Sequence, residues 1–166
     1  MAALVHVAVG LAAKPASSRV PVGISILAAE FLDILAILFG VLGIETMQSS
    51  PYSHGLLMAA AWSITFGLIA GLIFRSTKIG AFLGTLVFSH WMIDFITHPM
   101  GAVFGGRPLP PDLPLLFGGS PRVGIGLYNY SLTLAYAVEY GSIAIGIAVY
   151  VVYLARNRRS RRQPAE

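Results

Sequence analysis

Four acidic side chains lie inside long apolar segments that contain no Lys or Arg. They are Glu30, Asp33, Asp94 and Glu139, out of seven acidic residues in the chain. An ionised carboxylate in hydrocarbon is costly unless it is paired, protonated or bound to a cation. Because basic partners are absent from these segments, the sequence indicates that positive charge comes from outside the chain.

The segment SHWMIDFITH (89–98) suggests which cation. His90, Asp94 and His98 are spaced four residues apart, and residues four apart on a helix lie on one face. Two imidazoles beside a carboxylate, on one face of an apolar helix, predict a metal site. Imidazole and carboxylate ligands without sulfur suit zinc, and also manganese, iron or nickel, in a one-metal or a two-metal site.

The apolar segments predict an all-α integral membrane protein with four transmembrane helices. The chain is 56% hydrophobic and has a mean hydropathy of +0.76, and about 20 apolar residues suffice to cross a bilayer. The predicted spans are 20–44, 55–74, 79–100 and 131–155. Together they form one domain, 1–155, which is followed by a basic tail, 156–166. Gly67 with Gly71, and Gly80 with Gly84, are candidate close contacts between helices.

The first 13 residues are apolar but too short to span. A signal-peptide core is one interpretation, although a basic leader is missing and His6 would be unusual there. We favour a half-inserted or re-entrant helix. The Pro- and Gly-rich segment 101–129 predicts an irregular outer loop, either a lid over the bundle or a solvated connector.

The positions of the basic residues predict how the four spans are oriented across the membrane. Lys14 with Arg19, Arg75 with Lys78, and the arginines of the tail fall on one side of a four-span arrangement, which the positive-inside rule makes cytoplasmic. The pI of 9.7 then reflects topology and contact with membrane lipids rather than nucleic-acid binding. The absence of cysteine excludes disulfides and thiolate ligands.

Counting about 1.5 Å per helical residue from these basic residues places several polar groups at one depth. Glu30, Asp33, His90, Asp94 and Glu139 all come to roughly 17–26 Å. His54 and His98 lie above this layer, and His6 comes to roughly 12 Å. The layer predicts a shared site. The candidate metal ligands are His6, Asp33, His54, His90, Asp94 and His98; Glu30 and Glu139 are candidate general bases; and Arg107 and Arg122 are candidates for holding a substrate phosphate.

The chain resembles bacterial inner-membrane proteins identified as membrane-bound metal-dependent hydrolases. The resemblance rests on LAAK (11–14), AAEFLD (28–33), PYSH (51–54), SHWMIDFITH (89–98), PDLPL (111–115) and RVGIGLYN (122–129). It implies a helical membrane domain with Asp33, His54, His90, Asp94 and His98 as the metal set, and with His6 and Glu139 as additions. The chain departs from the family where residues 99–110 separate two segments that are usually nearly adjacent. The His-x-x-x-Asp pairs are also similar to those of helical zinc phospholipases C.

Three functions remain open on the sequence. The first is a hydrolase at the outer leaflet of a bacterial inner membrane, cleaving a phosphoester or acyl ester of a lipid-like substrate with a metal-activated water. The second is a proton or cation carrier, which we rank lower because the inner halves of spans two to four have almost no polar groups. The third is a non-catalytic small subunit of a larger membrane assembly or homo-oligomer.

Overall fold

The computed structural model describes residues 3–46, 50–117 and 119–160. Its elements, in chain order, are α1 (Ala3–Ala12), a 3-10 turn (Lys14–Ala16), α2 (Val22–Ala29), α3 (Phe31–Val41), α4 (Leu56–Ile73), α5 (Thr77–Thr97), α6 (Gly101–Phe104), β1 (Leu113–Pro114), β2 (Arg122–Val123) and α7 (Leu132–Ser160). The described part of the chain is mostly helical, with 67% of those residues in helices. Helix α7 runs into the predicted basic tail, of which residues 161–166 lie outside the described residues.

Three helices of the described chain, α4, α5 and α7, are long and apolar enough to cross a membrane. Helices α2 and α3 make a fourth candidate if the bent pair is one span. Large apolar side chains cover their outer surfaces, as at Val41 and Leu72, which are among the most exposed side chains. Such surfaces suit contact with lipid.

The prediction of an uninterrupted helix over 20–44 is wrong. Helix α2 ends at Ala29 and α3 begins at Phe31, with an angle of 57° between them. Glu30 stands at the joint with φ −93° and ψ 0°, values outside the helical region. The joint contains neither Pro nor Gly, the residues by which a sequence normally signals a break, so the apolar pattern runs on across it.

Helix α5 is the centre of the bundle and contacts α1, α2, α3 and α4. Its contact with α4 depends on the predicted glycines. A Cβ on Gly67 would lie 2.9 Å from the carbonyl oxygen of Gly80, and a Cβ on Gly80 would lie 2.9 Å from the Cα of Gly71. The backbones therefore approach as closely as small residues permit.

We expect Gly80→Leu to destabilise the protein by about 1–3 kcal/mol, the usual cost of overpacking. The added side chain would force α4 and α5 apart. Thermal unfolding in detergent measures the effect. Gly141→Leu is the matched control, because a Cβ at Gly141 meets nothing within 4 Å. Equal unfolding temperatures for the two variants would contradict the close packing of α4 on α5.

The Pro- and Gly-rich loop after α5 is docked on the end of that helix. The backbone N–H groups of Ile125, Leu127 and Tyr128 donate to the carbonyl oxygens of Phe95, Ile96 and Thr97. Strands β1 and β2 pair antiparallel within the loop. The last carbonyls of α5 are thereby satisfied, and the loop covers this end of the helix; whether it acts as a lid stays a prediction.

Candidate metal centre

All six predicted metal ligands belong to one cluster around Asp94, which is 2% exposed. Helix α1 supplies His6, α3 supplies Asp33, the segment before α4 supplies His54, and α5 supplies His90, Asp94 and, at its end, His98. Four separate parts of the chain therefore meet in one cluster.

The two oxygens of Asp94 face different histidines. Its Oδ1 lies 3.3 Å from His6 Nε2 and 3.9 Å from His98 Nε2. Its Oδ2 lies 3.4 Å from His54 Nε2 and 3.3 Å from His90 Nε2. The four imidazoles thus divide into two pairs, one on each side of the carboxylate.

Asp33 adds a second carboxylate to one of these pairs. Its Oδ1 lies 3.3 Å from His54 Nε2 and 3.6 Å from His90 Nε2. Ligands bound tetrahedrally at about 2.0–2.2 Å from zinc are about 3.3–3.6 Å from one another. The distances that join His54 and His90 to the two carboxylates, 3.3–3.6 Å, therefore match the separation between ligands of such an ion.

The orientation of His90 is fixed by a backbone carbonyl. Its Nδ1 lies 2.6 Å from the oxygen of Ala29. A carbonyl oxygen only accepts, so Nδ1 carries the hydrogen, and in the neutral ring Nε2 carries the lone pair. The Nε2 lone pair faces Asp33 Oδ1 and Asp94 Oδ2. His98 is held in the same way, with its Nδ1 3.0 Å from Asp112 Oδ2.

His54 is oriented by two further polar residues. The hydroxyl of Ser53 donates to Glu45 Oε2 at 2.7 Å and so accepts from His54 Nδ1 at 2.9 Å. Glu45 also accepts from the backbone N–H groups of Ser53, at 2.9 Å, and of Tyr52. Metal-ligating histidines usually show this pattern, in which a second acceptor fixes the tautomer.

His6 is the fourth imidazole and is 1% exposed. Neither of its ring nitrogens makes a hydrogen bond with the described part of the chain, and the same holds for Nε2 of His90. Buried polar groups rarely lack partners without a reason. Lone pairs facing carboxylates repel unless a cation or a proton lies between them. The orphaned nitrogens therefore fit a bound metal ion.

The depth count misjudged His6 because it started from Lys14. The ammonium of Lys14 turns back onto the chain, donating to the carbonyl oxygens of Ser18 and Val20 at 2.8 and 2.5 Å. A count that starts at Lys14 therefore does not locate His6, whose Nε2 lies 3.3 Å from Asp94 Oδ1.

The two candidate general bases have different surroundings. Glu139 accepts from the hydroxyl of Tyr128 at 2.9 Å and from the N–H of Leu4 at 3.1 Å. Burial, together with the Glu139 carboxylate, raises the pKa of Tyr128, so its hydroxyl stays a donor. Glu30 lies at the joint between α2 and α3, three residues before Asp33. Its Oε1 is buried and makes no hydrogen bond within residues 3–46, 50–117 and 119–160.

The predicted substrate ligands Arg107 and Arg122 are exposed in the loop between α5 and α7, and their role stays a prediction.

Sequence reasoning did not identify three residues that orient the histidines. Glu45 and Ser53 follow the end of an apolar segment, where polar side chains are ordinary. Asp112 lies in PDLPL (111–115), and its contact with His98 joins in space the segments that residues 99–110 separate in sequence.

We expect Ser53→Ala to weaken metal binding about 10- to 100-fold, the usual effect of losing a group that orients a ligand. The imidazole of His54 would lose its acceptor and rotate. Competition against a chelating dye measures the affinity. The matched control is Ser89→Ala, since the Ser89 hydroxyl bonds only within its own helix, to Leu86 O at 2.7 Å. Equal affinities for the two variants would show that Ser53 does not position His54.

Buried His and Asp side chains in this structure could hold a metal ion, in the groups His6, His90 and Asp94, and Asp33, His54 and His90. No family model, curated protein or solved structure matches the chain. The function is therefore argued from the site itself.

Proposed function

We propose that this protein is a membrane-embedded, metal-dependent hydrolase acting on a lipid-like phosphoester or acyl ester. The observation that carries the proposal is the convergence of four histidines on Asp94, three of them with Nδ1 already bound to another acceptor. We propose zinc as the metal, with manganese, iron or nickel as alternatives. We place the protein in a bacterial inner membrane with its C-terminus cytoplasmic.

A bound divalent ion would supply Lewis acidity and a water that ionises near neutral pH. The residues of the chain would hold the ion and fix the orientation of its ligands. His54, His90 and Asp94 present fixed donors, and the burial of these three side chains keeps bulk water away from them. Such preorganised groups in a dry site cost no rearrangement during the reaction.

A lipid-like substrate is supported by the position of the open edge of the cluster. The side chain of Asp33 is 41% exposed, whereas that of Asp94 is 3% exposed. Asp33 is followed on α3 by Ile34 and Ile37, and Ile37 is 69% exposed. The accessible side of the site therefore opens beside an apolar surface suited to lipid, from which a lipid ester could enter.

The outer loop adds apolar surface near the same end of the bundle. Phe104, Leu116, Phe117 and Ile125 are exposed large side chains of this loop. Exposed apolar groups of this size favour contact with a membrane interface. The loop would rest on the outer leaflet, where lipid headgroups are found.

Glu30 is the general base in this proposal. Its Oε1 is buried and without a hydrogen bond in the described chain, so it is available to accept a proton. Both oxygens of Glu139, by contrast, already accept from Tyr128 and Leu4. Glu139 then serves to hold α1 against α7.

The test is purification without chelator, followed by metal analysis and an assay in mixed micelles. The probes are a phospholipid, a lipid phosphate monoester and a glycerol acyl ester. We expect bound zinc or another transition metal and turnover of at least one probe, both lost in His90→Gln and kept in Ser89→Ala. A folded, metal-supplemented protein without metal would contradict the proposal and favour a carrier. Metal without turnover of any probe would favour a non-catalytic subunit.

A further inference from the structure

We infer that the cluster binds two metal ions, bridged by the carboxylate of Asp94. The inference rests on the metal site of the proposed function and goes beyond it in the number and assignment of ions. One ion would lie on the Oδ2 side, held by His54, His90 and Asp33. The other would lie on the Oδ1 side, held by His6 and His98.

The first argument is the division of the donors. Each Nε2 has one lone pair and can bind one ion. His54 and His90 both lie near Asp94 Oδ2 and Asp33 Oδ1, at 3.3–3.6 Å. An ion held by these groups would have four protein ligands, the number that zinc usually binds. One ion placed there leaves Oδ1, with the histidines that face it, unused.

The second argument is the geometry of His6 and His90. Their rings are stacked with centroids 3.6 Å apart and planes 7° from parallel. Each Nε2 lies 3.3 Å from a different oxygen of Asp94. If the two Nε2 lone pairs are parallel and as far apart as the rings, they point to two ion positions that are also about 3.6 Å apart. Two-metal sites hold their ions about 3.5–4 Å apart.

The third argument is that the Oδ1 side has its own orienting groups. His98 is fixed through Nδ1 by Asp112, as His54 is fixed by Ser53 on the other side. His6 is buried and has two nitrogens without hydrogen-bond partners in the described chain. An ion on this side would have three protein ligands, His6, His98 and Asp94.

The test uses the full chain in detergent, stripped of metal and titrated with Mn²⁺. Bound metal is counted per chain, and electron paramagnetic resonance reports whether the ions interact. We expect two ions per chain, with the spectrum of an exchange-coupled pair. His54→Gln and His98→Gln should each retain one ion with the spectrum of isolated Mn²⁺. The control Ser89→Ala should retain the coupled pair.

Saturation at one ion per chain, or two ions without coupling, would overturn the inference. The measurements on the unaltered protein decide this without any variant, so a variant that fails to fold does not obscure the answer. Failure of the proposed function looks different. No metal at all would overturn both, whereas a coupled pair without turnover of any lipid probe would support the bridge and contradict the hydrolase.

Discussion

Replacing Asp94 with asparagine is expected to leave the purified protein without bound metal. Asp94 contributes both oxygens to the cluster and lies within 3.3–3.9 Å of four histidine nitrogens. The amide has nearly the same shape but no charge, and only one of its two ends can accept. We expect affinity for zinc to fall by more than the 10- to 100-fold typical of an orienting group, and hydrolysis to fall to background.

The matched control for Asp94→Asn is Thr97→Val. Thr97 is buried on the same helix, and its hydroxyl bonds only to the Ile93 carbonyl, at 3.1 Å. Metal content and thermal unfolding should be measured for both variants. A folded Asp94→Asn protein with the full complement of metal would contradict the central position of this carboxylate.

Glu30→Gln is expected to keep the metal and lose the reaction. Glu30 is absent from the donor groups of the cluster, so metal content should be unchanged. If its free Oε1 accepts the proton of the attacking water, kcat should fall by about 10²- to 10⁴-fold, the usual contribution of a general base. The measurement is turnover of the best lipid probe alongside metal content in the same preparation.

Glu139→Gln separates the two candidate bases. Its oxygens bind Tyr128 and the N–H of Leu4, so we expect lower thermal stability with little change in kcat. The opposite outcome, in which Glu139→Gln loses activity while Glu30→Gln keeps it, would transfer the role of the base to Glu139. Unchanged kcat in both variants would remove general-base catalysis by either carboxylate.

The sequence predicted that the candidate ligands lie close together, because the signals for this are local or chemical. His90, Asp94 and His98 share a helix face through their spacing alone, and Asp33 stands out as a charge in an apolar run. The structure brings these residues together as expected. Whether they bind metal stays a prediction, as do membrane orientation and the role of each site residue.

The features that sequence reasoning missed depend on tertiary contacts. The break at Glu30 has no local marker, so the apolar pattern predicts one continuous helix across it. Glu45 and Ser53 become recognisable only once His54 is placed beside them. The position of His6 required knowing that Lys14 turns back onto the chain.

Helix α1 packs mainly on α7. Helix α7 comes after every segment that contributes a candidate ligand. A Cβ on Gly146 of α7 would lie 2.7 Å from the Ala8 carbonyl oxygen, and Glu139 of α7 accepts from Leu4 N. We therefore expect His6 to reach its final position only after α7 has packed against α1. During synthesis the other ligands would emerge and pack first, and metal loading would mark the completion of membrane assembly.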